Sequence, residues 1–249
     1  MTTTQLHRIA SRAHPHPRNI ALFGGSFDPI HNGHLTVARA ADRRFNFDEI
    51  LFIPSSRPPH KQRSLAPFPH RFAMVSLACA EHPHFVPSLA EAGEDFSGQQ
   101  LFYSIDTVRH FRRVYHRLDR LYFIIGADAF VQIATWKDYE TLLTSCDFIV
   151  ATRPGVRPDA LRLVIPTELL GRPQHVRRSS DMPTGVAAPG AQDATVLAKL
   201  RRTTIFLLDT VMSDVSATAI RRRVHHGQSI HGLVSARVEE YIGKQALYR

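Results

Sequence analysis

A glycine-rich turn near the start of the chain carries two histidines at a spacing that suits phosphate chemistry. The stretch LFGGSFDPIHNGHL, residues 22–35, places Gly24 and Gly25 after an apolar run, with His31 and His34 where a helix is predicted to begin. Glycines permit a sharp turn and close approach of backbone N–H groups to an anion, and a helix N-terminus favours negative charge. Imidazole N–H groups would add donors for charge that develops during phosphoryl transfer. The stretch has no Walker lysine, so the histidines take its place.

Two other interpretations of these histidines stay open. Each could be a surface or capping residue in a chain that has 15 histidines. Together they could also ligate a metal ion, but Asp28 is the only carboxylate nearby, and the HxxH spacing lacks the glutamate of a zinc-protease helix. We therefore predict no metal ligand from the protein.

A second candidate anion site follows about 180 residues later. In VSATAIRRR, residues 215–223, Ser216 and Thr218 are residue types that start helices. Arg221 lies in the first turns of that predicted helix, where its guanidinium could bind phosphate oxygens together with the helix N-terminus. An ordinary capped basic helix is the alternative, and it is the preferred interpretation for the two arginines that follow Arg221.

Five short apolar segments are typical of strands buried on both faces of a parallel sheet. They cover residues 19–25, 49–54, 120–126, 147–153 and 203–209. Amphipathic patterns between them predict helices, so strands and helices alternate. The predicted fold class is α/β, with a doubly wound parallel sheet and a C-terminal helical part. Ligands of such sheets bind beyond the carboxyl ends of the strands, which is where the glycine turn lies.

The length of 249 residues and the hydrophobic content of 43% favour one large domain over several. We expect residues 1–18 to form a basic tail and residues 19–249 to form a single domain. Within that domain, residues 154–202 are rich in proline, glycine and arginine and are predicted to be irregular. Residues 55–68 are predicted to form an extended basic loop, which contains Lys61.

Charge and cysteine content limit the partners and the compartment. The net charge of +9 favours anionic ligands: nucleotides, nucleic acid or an acidic membrane surface. No segment has the length and apolarity of a membrane span, and the first residues lack the apolar stretch of a secretory signal. Cys79 and Cys146 lie in apolar segments without partners at metal-site spacing, which predicts reduced core thiols and a cytoplasmic location.

Both motifs match the signatures of a known superfamily. GGSFDPIHNGHL resembles the GxFxPxHxGH signature of the nucleotidyltransferases, and VSATAIRRR resembles their second signature, ISxTxxR. Further stretches resemble the nicotinate mononucleotide adenylyltransferase family: PPHK at 58–61, FYSIDTV at 102–108, FIIGADAF at 123–130, TWKDYE at 135–140, ATRPG at 151–155 and LYR at 247–249. The resemblance implies a Rossmann-like nucleotidyltransferase fold for the domain, and transfer of AMP from ATP to nicotinate mononucleotide in NAD biosynthesis.

The resemblance also implies residue roles. The catalytic residues would be His31, His34 and Arg221. ATP would be bound by Gly24, Gly25, Ser26, Phe27, Gly33, Gly126, Asp128, Ser216 and Thr218. Nicotinate mononucleotide would be bound by Lys61, Ser104, Trp136 and Lys137, with the indole ring of Trp136 stacked on the pyridine ring. Mg²⁺ would accompany ATP, held by substrate and water. The expected partners are therefore the two nucleotides, with no nucleic acid and no membrane.

Alternatives are open for single residues, for the acceptor and for the class of protein. Asp128 could instead cap the next helix, and Trp136 could be ordinary core packing. The segment that the family usually writes as SYT is Phe-Tyr-Ser here, at residues 102–104. The acceptor could also be nicotinamide mononucleotide or phosphopantetheine, although pantetheine-phosphate adenylyltransferases are typically shorter and lack TWKDYE and LYR. A basic nucleic-acid-binding module is the alternative from another class, but the chain lacks a platform of closely spaced aromatic and basic residues.

Overall fold

The computed structural model describes residues 16–56, 65–93, 103–152, 158–171, 195–209 and 215–249. Its strands are β1 (Asn19–Gly25), β2 (Glu49–Pro54), β3 (Phe85–Pro87), β4 (Arg120–Gly126), β5 (Asp147–Thr152), β6 (Thr195–Lys199) and β7 (Thr204–Asp209). They form one sheet in the order β3-β2-β1-β4-β5-β7-β6. Every neighbouring pair is parallel except β6 and β7, which are antiparallel. The predicted α/β class with a mostly parallel sheet is confirmed.

The five predicted strands are confirmed to within a residue at their ends, but β3 and β6 were missed. β3 has only three residues, too few to show a pattern. β6 lies inside the segment 154–202 that the sequence predicts to be irregular. It is an antiparallel edge strand whose ladder shifts between Val196 and Ala198, and only its central residue is fully buried. Such a strand lacks the continuous apolar run that identified the others.

The helices flank the sheet. They are α1 (Asn32–Phe45), α2 (Phe68–Cys79), α3 (Ser104–Val114), α4 (Ala127–Phe130), α5 (Tyr139–Leu143), α6 (Pro158–Arg162), α7 (Ala217–His225) and α8 (Ala236–Lys244), with 3₁₀ turns at Ile133–Thr135 and Thr167–Leu169. The last two helices are the predicted C-terminal helical part. Ser216 is the N-cap residue of α7, as its residue type predicts, and its hydroxyl oxygen accepts the backbone N–H of Ala219 at 3.2 Å.

Two apolar cores lie on opposite faces of the sheet, because successive strand residues point to opposite sides. Ile20 and Leu22 pack in the core that contains α3, whereas Ala21 and Phe23 pack in the core of α1, α2, α7 and α8. The strand order reverses between β1 and β4. The chain therefore leaves the carboxyl ends of these two strands in opposite directions and opens a crevice there for a ligand.

The described fold reaches back to Arg18, which is buried beside the start of β1. Its backbone N–H and its guanidinium donate to the carboxylate of Asp119 at 3.0 and 3.2 Å. Cys79 and Cys146 are buried free thiols, and burial raises the pKa of Cys79 to about 12. Within the described ranges, none of the helices has the length and apolarity needed to cross a bilayer.

Candidate active site

The glycine turn folds tightly around an aromatic side chain. Gly24 and Gly25 end β1, and Phe27 follows in a left-handed conformation with φ of 44°. The ring of Phe27 is buried and packs edge-on against Phe23, with ring centroids 5.8 Å apart. A Cβ atom at Gly25 would lie 3.2 Å from the Phe27 ring, so any larger residue there would have to displace the ring by a few tenths of an ångström. The turn thereby places Ser26 at the head of the crevice, between β1 and α1.

The two histidines meet at the N-terminus of α1. Their rings stack with centroids 3.7 Å apart and an interplanar angle of 29°. His31 is the N-cap residue, and its backbone N–H donates to Nδ1 of His34 at 3.2 Å. Because Nδ1 of His34 accepts this hydrogen bond, the neutral ring carries its proton on Nε2. The histidine pair therefore lies at the positive end of α1, where the sequence predicts a helix to begin.

Arg221 joins the second signature to the first. Its Nη1 donates to the backbone oxygen of Asp28 and lies 3.5 Å from Oδ2 of the Asp28 carboxylate. Its Nη2 donates to the hydroxyl oxygen of Thr218 at 2.9 Å. Asp28 and Arg221 are 193 positions apart in the chain, and the fold brings them into direct contact. The two predicted anion sites therefore form one site.

Sequence reasoning gave Asp28 and Arg71 no role in the site, yet both organise it. Asp28 is only 1% exposed. Arg71, on α2, is equally buried and donates to the backbone oxygens of Ser26 at 2.7 Å and Ala66 at 2.9 Å. Burial lowers the pKa of Arg71, and nearby Asp28 opposes that shift. Asp28 lies within the first signature, which could have drawn attention to it, but nothing in the apolar pattern of α2 identifies Arg71.

The residues predicted to bind the acceptor nucleotide lie around the start of α3. Trp136 is half-buried and packs edge-on against Phe123, with centroids 6.4 Å apart. The ammonium of Lys137 lies 4.5 Å above the ring of Tyr103 and 3.4 Å from the Asp106 carboxylate. Ser104 is the first residue of α3. The structure thus groups Ser104, Trp136 and Lys137, whereas Lys61 falls outside the described residues.

Gly126 and Asp128 lie at the end of β4, which neighbours the glycine turn on β1. Gly126, rather than Asp128, is the N-cap of α4, and Asp128 is exposed in the first turn of that helix. Asp128 is therefore not the N-cap residue itself, and its role in binding ribose stays a prediction. A Cβ atom at Gly126 would meet nothing within 4 Å, so there is open space beside the strand end.

An open cleft of about 410 Å³ runs along the second signature. It is lined by Thr218, Arg221, Arg222, His225, Tyr248 and Arg249. Four of these six side chains are basic types, so the cleft favours an anion. A smaller cavity of about 200 Å³ lies at the opposite, N-terminal ends of β1 and β4, away from these residues. In the described part of the chain, no three histidine, cysteine or acidic side chains are grouped to hold a metal ion.

Comparison with known proteins decides the family. Residues 22–223 match the cytidylyltransferase-like family. The chain is 39% identical over 235 residues to a probable nicotinate-nucleotide adenylyltransferase of Moorella thermoacetica, covering 94% of this chain and 93% of that protein. It is 34% identical to one of Geobacter sulfurreducens, over 91% of this chain and 96% of that protein. The chain belongs to the nicotinate-nucleotide adenylyltransferase family.

Solved structures show the same fold. The nicotinic acid mononucleotide adenylyltransferase of Plasmodium falciparum, complexed with NaAD, superposes with a TM-score of 0.65 at 19% identity, covering 93% of this chain and 97% of that chain. A putative nicotinate-nucleotide adenylyltransferase of Vibrio parahaemolyticus gives a TM-score of 0.56 at 17% identity, over 93% of this chain and 96% of that chain. The nicotinate-nucleotide adenylyltransferase family therefore shares the sheet and flanking helices described above.

Gly33 leaves room for the ring of His31 in the histidine pair. A Cβ atom there would lie 3.0 Å from Nδ1 and 3.1 Å from Cε1 of the His31 ring. We expect Gly33→Ala to displace that ring and to lower kcat by about tenfold or more, on the order of one lost transition-state contact. Steady-state pyrophosphate release, with circular dichroism to confirm folding, measures the effect.

Gly243→Ala is the matched control, because Gly243 is also helical and a Cβ atom there meets nothing within 4 Å. Alanine should stabilise that helix by up to about 1 kcal/mol and leave kcat unchanged. Equal kcat values for Gly33→Ala and the wild type would show that His31 does not need its observed position.

Glu91 is a carboxyl group that sequence reasoning missed, and it contacts α3. It follows β3, and its Oε1 accepts the hydroxyl of Thr107, in α3, at 2.8 Å. Burial raises the pKa of Glu91 to about 7, although hydrogen bonds from Thr107 and Ser55 and the positive charge of Arg71 act to lower it. A raised pKa means that the folded protein binds this proton more tightly than the unfolded chain. The resulting stability is complete below about pH 4.5 and is lost as the pH rises through 7.

We therefore expect Glu91→Gln to change the pH dependence of the free energy of unfolding. Relative to wild type, the variant should gain roughly 2–3 kcal/mol between pH 5 and pH 8, because glutamine never has to ionise. Urea denaturation at both pH values measures this. Glu240→Gln should show no such gain, since Lys244 lowers the pKa of the exposed Glu240 carboxyl. A parallel pH dependence in Glu91→Gln and wild type would contradict the assignment.

Proposed function

We propose that this protein transfers AMP from ATP to nicotinate mononucleotide and releases nicotinate adenine dinucleotide and pyrophosphate. The observation that carries the proposal is the contact between the two signatures, in which Arg221 reaches the glycine turn beside His31 and His34. Membership of the nicotinate-nucleotide adenylyltransferase family supports the acceptor. Both substrates are anions, which suits a protein with a net charge of +9.

The chemistry needs alignment and charge stabilisation, and no nucleophile from the protein. The acceptor phosphate is already anionic at pH 7, so its oxygen can attack the α-phosphorus of ATP in line without a general base. Nε2–H of His34 stabilises charge on the α-phosphate oxygens, at the N-terminus of α1 where the helix dipole also favours an anion. Pyrophosphate leaves toward Arg221, whose guanidinium, with Thr218 and Ser216 at the start of α7, holds the β- and γ-phosphates.

The adenosine part of ATP and the acceptor occupy opposite sides of the β1–β4 crevice in this proposal. Gly126 leaves room at the end of β4, where the Asp128 carboxylate accepts ribose hydroxyl groups. On the other side, the exposed part of the Trp136 indole stacks on the pyridine ring. Lys137 and the first turn of α3, which begins at Ser104, lie next to it, and the sequence adds Lys61 as the charge for the acceptor phosphate.

Mg²⁺ enters this proposal as part of the ATP substrate. The buried carboxylate nearest the histidines, Asp28, is engaged by Tyr248, Ala66 and Arg221. The described residues thus fit an ion that is held by phosphate oxygens and water instead of by side chains. Bound there, Mg²⁺ would neutralise charge on the phosphate oxygens. We place the reaction in the cytoplasm, since both buried cysteines are free thiols.

Pyrophosphate release tests the proposal. The purified protein is incubated with ATP, Mg²⁺ and one of three acceptors: nicotinate mononucleotide, nicotinamide mononucleotide or phosphopantetheine. The greatest kcat/KM is expected with nicotinate mononucleotide, and the product should be nicotinate adenine dinucleotide by mass spectrometry. Release with phosphopantetheine alone, or with none of the three, would refute the proposed acceptor. A higher kcat/KM for the amide would reassign the protein's preference within the same reaction.

A further inference from the structure

The residues that follow α8 reach the glycine turn, and neither signature includes them. The Tyr248 hydroxyl donates to Oδ1 of Asp28 at 2.8 Å, across 220 positions of the chain. Burial and the neighbouring Asp28 charge raise the pKa of Tyr248, so the hydroxyl stays protonated and can donate. Tyr248 also has a φ of 66°, a left-handed conformation that is unfavourable for a side chain of this size. The surrounding contacts must hold it there.

Asp28 stands between Tyr248 and Arg221. Its Oδ1 accepts the Tyr248 hydroxyl and the backbone N–H of Ala66, at 2.8 and 3.2 Å, while its Oδ2 faces Nη1 of Arg221 at 3.5 Å. The Asp28 carboxylate is 1% exposed, with two hydrogen bonds to Oδ1 and an ion-pair contact at Oδ2, so it has little freedom to rotate. The orientation of the carboxylate that faces the Arg221 guanidinium therefore depends on the hydrogen bond from Tyr248.

Arg249 follows immediately and lines the same cleft as Arg221 and Thr218. Its side chain is exposed. The cleft offers basic groups from two different parts of the chain, α7 and the segment after α8, and the second part is held in place by the Tyr248 hydrogen bond. The guanidinium groups of Arg221, Arg222 and Arg249 line one cleft, which suits a ligand with several phosphate oxygens.

We propose that Tyr248 and Arg249 are working parts of the nucleotide site: Tyr248 positions Arg221 through Asp28, and Arg249 binds the β- and γ-phosphates of ATP. This inference rests on the proposed function only in naming ATP as the anion. Tyr248 is a positioning residue, since it touches Asp28 and acts on the phosphates through Arg221. Arg249 contacts the substrate directly.

Tyr248→Phe removes one hydroxyl and keeps the ring. We expect its kcat/KM for ATP to fall about tenfold, as is typical of a lost hydrogen bond to a charged group, with the KM for nicotinate mononucleotide unchanged. Tyr241→Phe is the matched control, because Tyr241 also bonds through its hydroxyl, to Nδ1 of His70 at 2.9 Å, from α8. The control should keep wild-type kinetics. If Tyr248 has a purely structural role, Tyr248→Phe will have a lower melting temperature but an unchanged ratio between the KM values of the two substrates. That result would overturn the inference.

Arg249→Gln removes the charge of the second residue, and Arg249→Lys returns a cation. We expect the glutamine variant to bind ATP severalfold more weakly in calorimetry without acceptor, and the lysine variant to recover part of the affinity. Arg237→Gln is the control, because Arg237 is an exposed arginine of α8 that pairs with Glu81 at 3.7 Å. Wild-type ATP affinity in Arg249→Gln would exclude Arg249 from the site.

The binding experiment separates this inference from the proposed function. If the wild type binds ATP but releases no pyrophosphate with nicotinate mononucleotide, the proposed acceptor is wrong. Weaker ATP binding by Tyr248→Phe and Arg249→Gln would then still support the inference. If the wild type turns over as proposed and both variants match it in ATP affinity and kcat, the inference fails and the proposed function stands.

Discussion

Replacing His34 with alanine is expected to give a folded protein whose kcat is at least about 100-fold below that of the wild type. The loss follows from the chemistry proposed for the site, because a donor aimed at developing phosphate charge is worth about 10²-fold or more. The hydrogen bond from the backbone of His31 to Nδ1 of His34 leaves the proton of the neutral ring on Nε2. Alanine removes that donor, and nothing else at the position replaces it.

The alanine variant also loses part of the helix cap, so a second variant is needed. At the N3 position of α1, glutamine can accept the His31 backbone N–H as the imidazole does. His34→Gln should therefore keep the thermal stability of wild type, while His34→Ala loses about 1 kcal/mol. Kinetics at saturating ATP, with thermal unfolding of all three proteins, separates catalysis from capping.

The His34→Gln variant distinguishes the two interpretations of His34. If His34 only caps α1, His34→Gln restores kcat to the wild-type value together with the stability. If the imidazole stabilises transferring phosphate, both variants lose kcat by a larger factor than they raise the KM for ATP. A near-normal kcat in His34→Ala would refute the catalytic role outright.

The parts of the fold that the sequence predicts correctly are those with a strong local pattern. The buried runs of β1, β2, β4, β5 and β7 are continuous and apolar, and they were predicted nearly to the residue. β3 is too short to show a pattern, and the partly exposed edge strand β6 alternates poorly. Neither a strand of three residues nor a strand without regular alternation gives a clear signal in a single sequence.

The same distinction applies to the candidate site. The glycine turn and its histidines are consecutive in the chain, so their grouping follows from the local motif. Asp28, Arg71 and Tyr248 contribute through contacts made by folding, such as the 220 positions that separate the Tyr248 hydroxyl from its partner. No spacing rule predicts such a contact. Lys61, which the motif PPHK nominates, lies outside the described residues and stays a prediction.

Arg221→Ala is expected to lower both activity and stability, and the two losses have separate causes. Without its guanidinium the β- and γ-phosphates lose a charged ligand, so kcat/KM for ATP should fall by about 10²-fold or more. Asp28, only 1% exposed, also loses the cation 3.5 Å from its Oδ2. Removing one member of a buried ion pair costs on the order of 3 kcal/mol, since the remaining charge stays desolvated.

A double variant separates these causes. Asp28→Asn in the Arg221→Ala background removes the unpaired charge and leaves an amide whose oxygen can still accept the Tyr248 hydroxyl. We expect the free energy of unfolding to recover by at least about half of its loss, while kcat/KM for ATP stays low because no cation has returned. Urea denaturation and steady-state kinetics on the wild type, both single variants and the double variant complete the cycle.

The same set of variants tests whether the buried Asp28 carboxylate orients the arginine that is proposed to bind phosphate. Asp28 is an anion close to a site for anions, so its charge alone should weaken ATP binding. If it is there to orient Arg221, Asp28→Asn by itself lowers kcat although it makes the site more positive. If charge alone mattered, that variant would bind ATP more tightly and keep its kcat. A rise in ATP affinity without loss of kcat would therefore contradict the positioning role, whereas a fall in both would show that geometry outweighs net charge at this site.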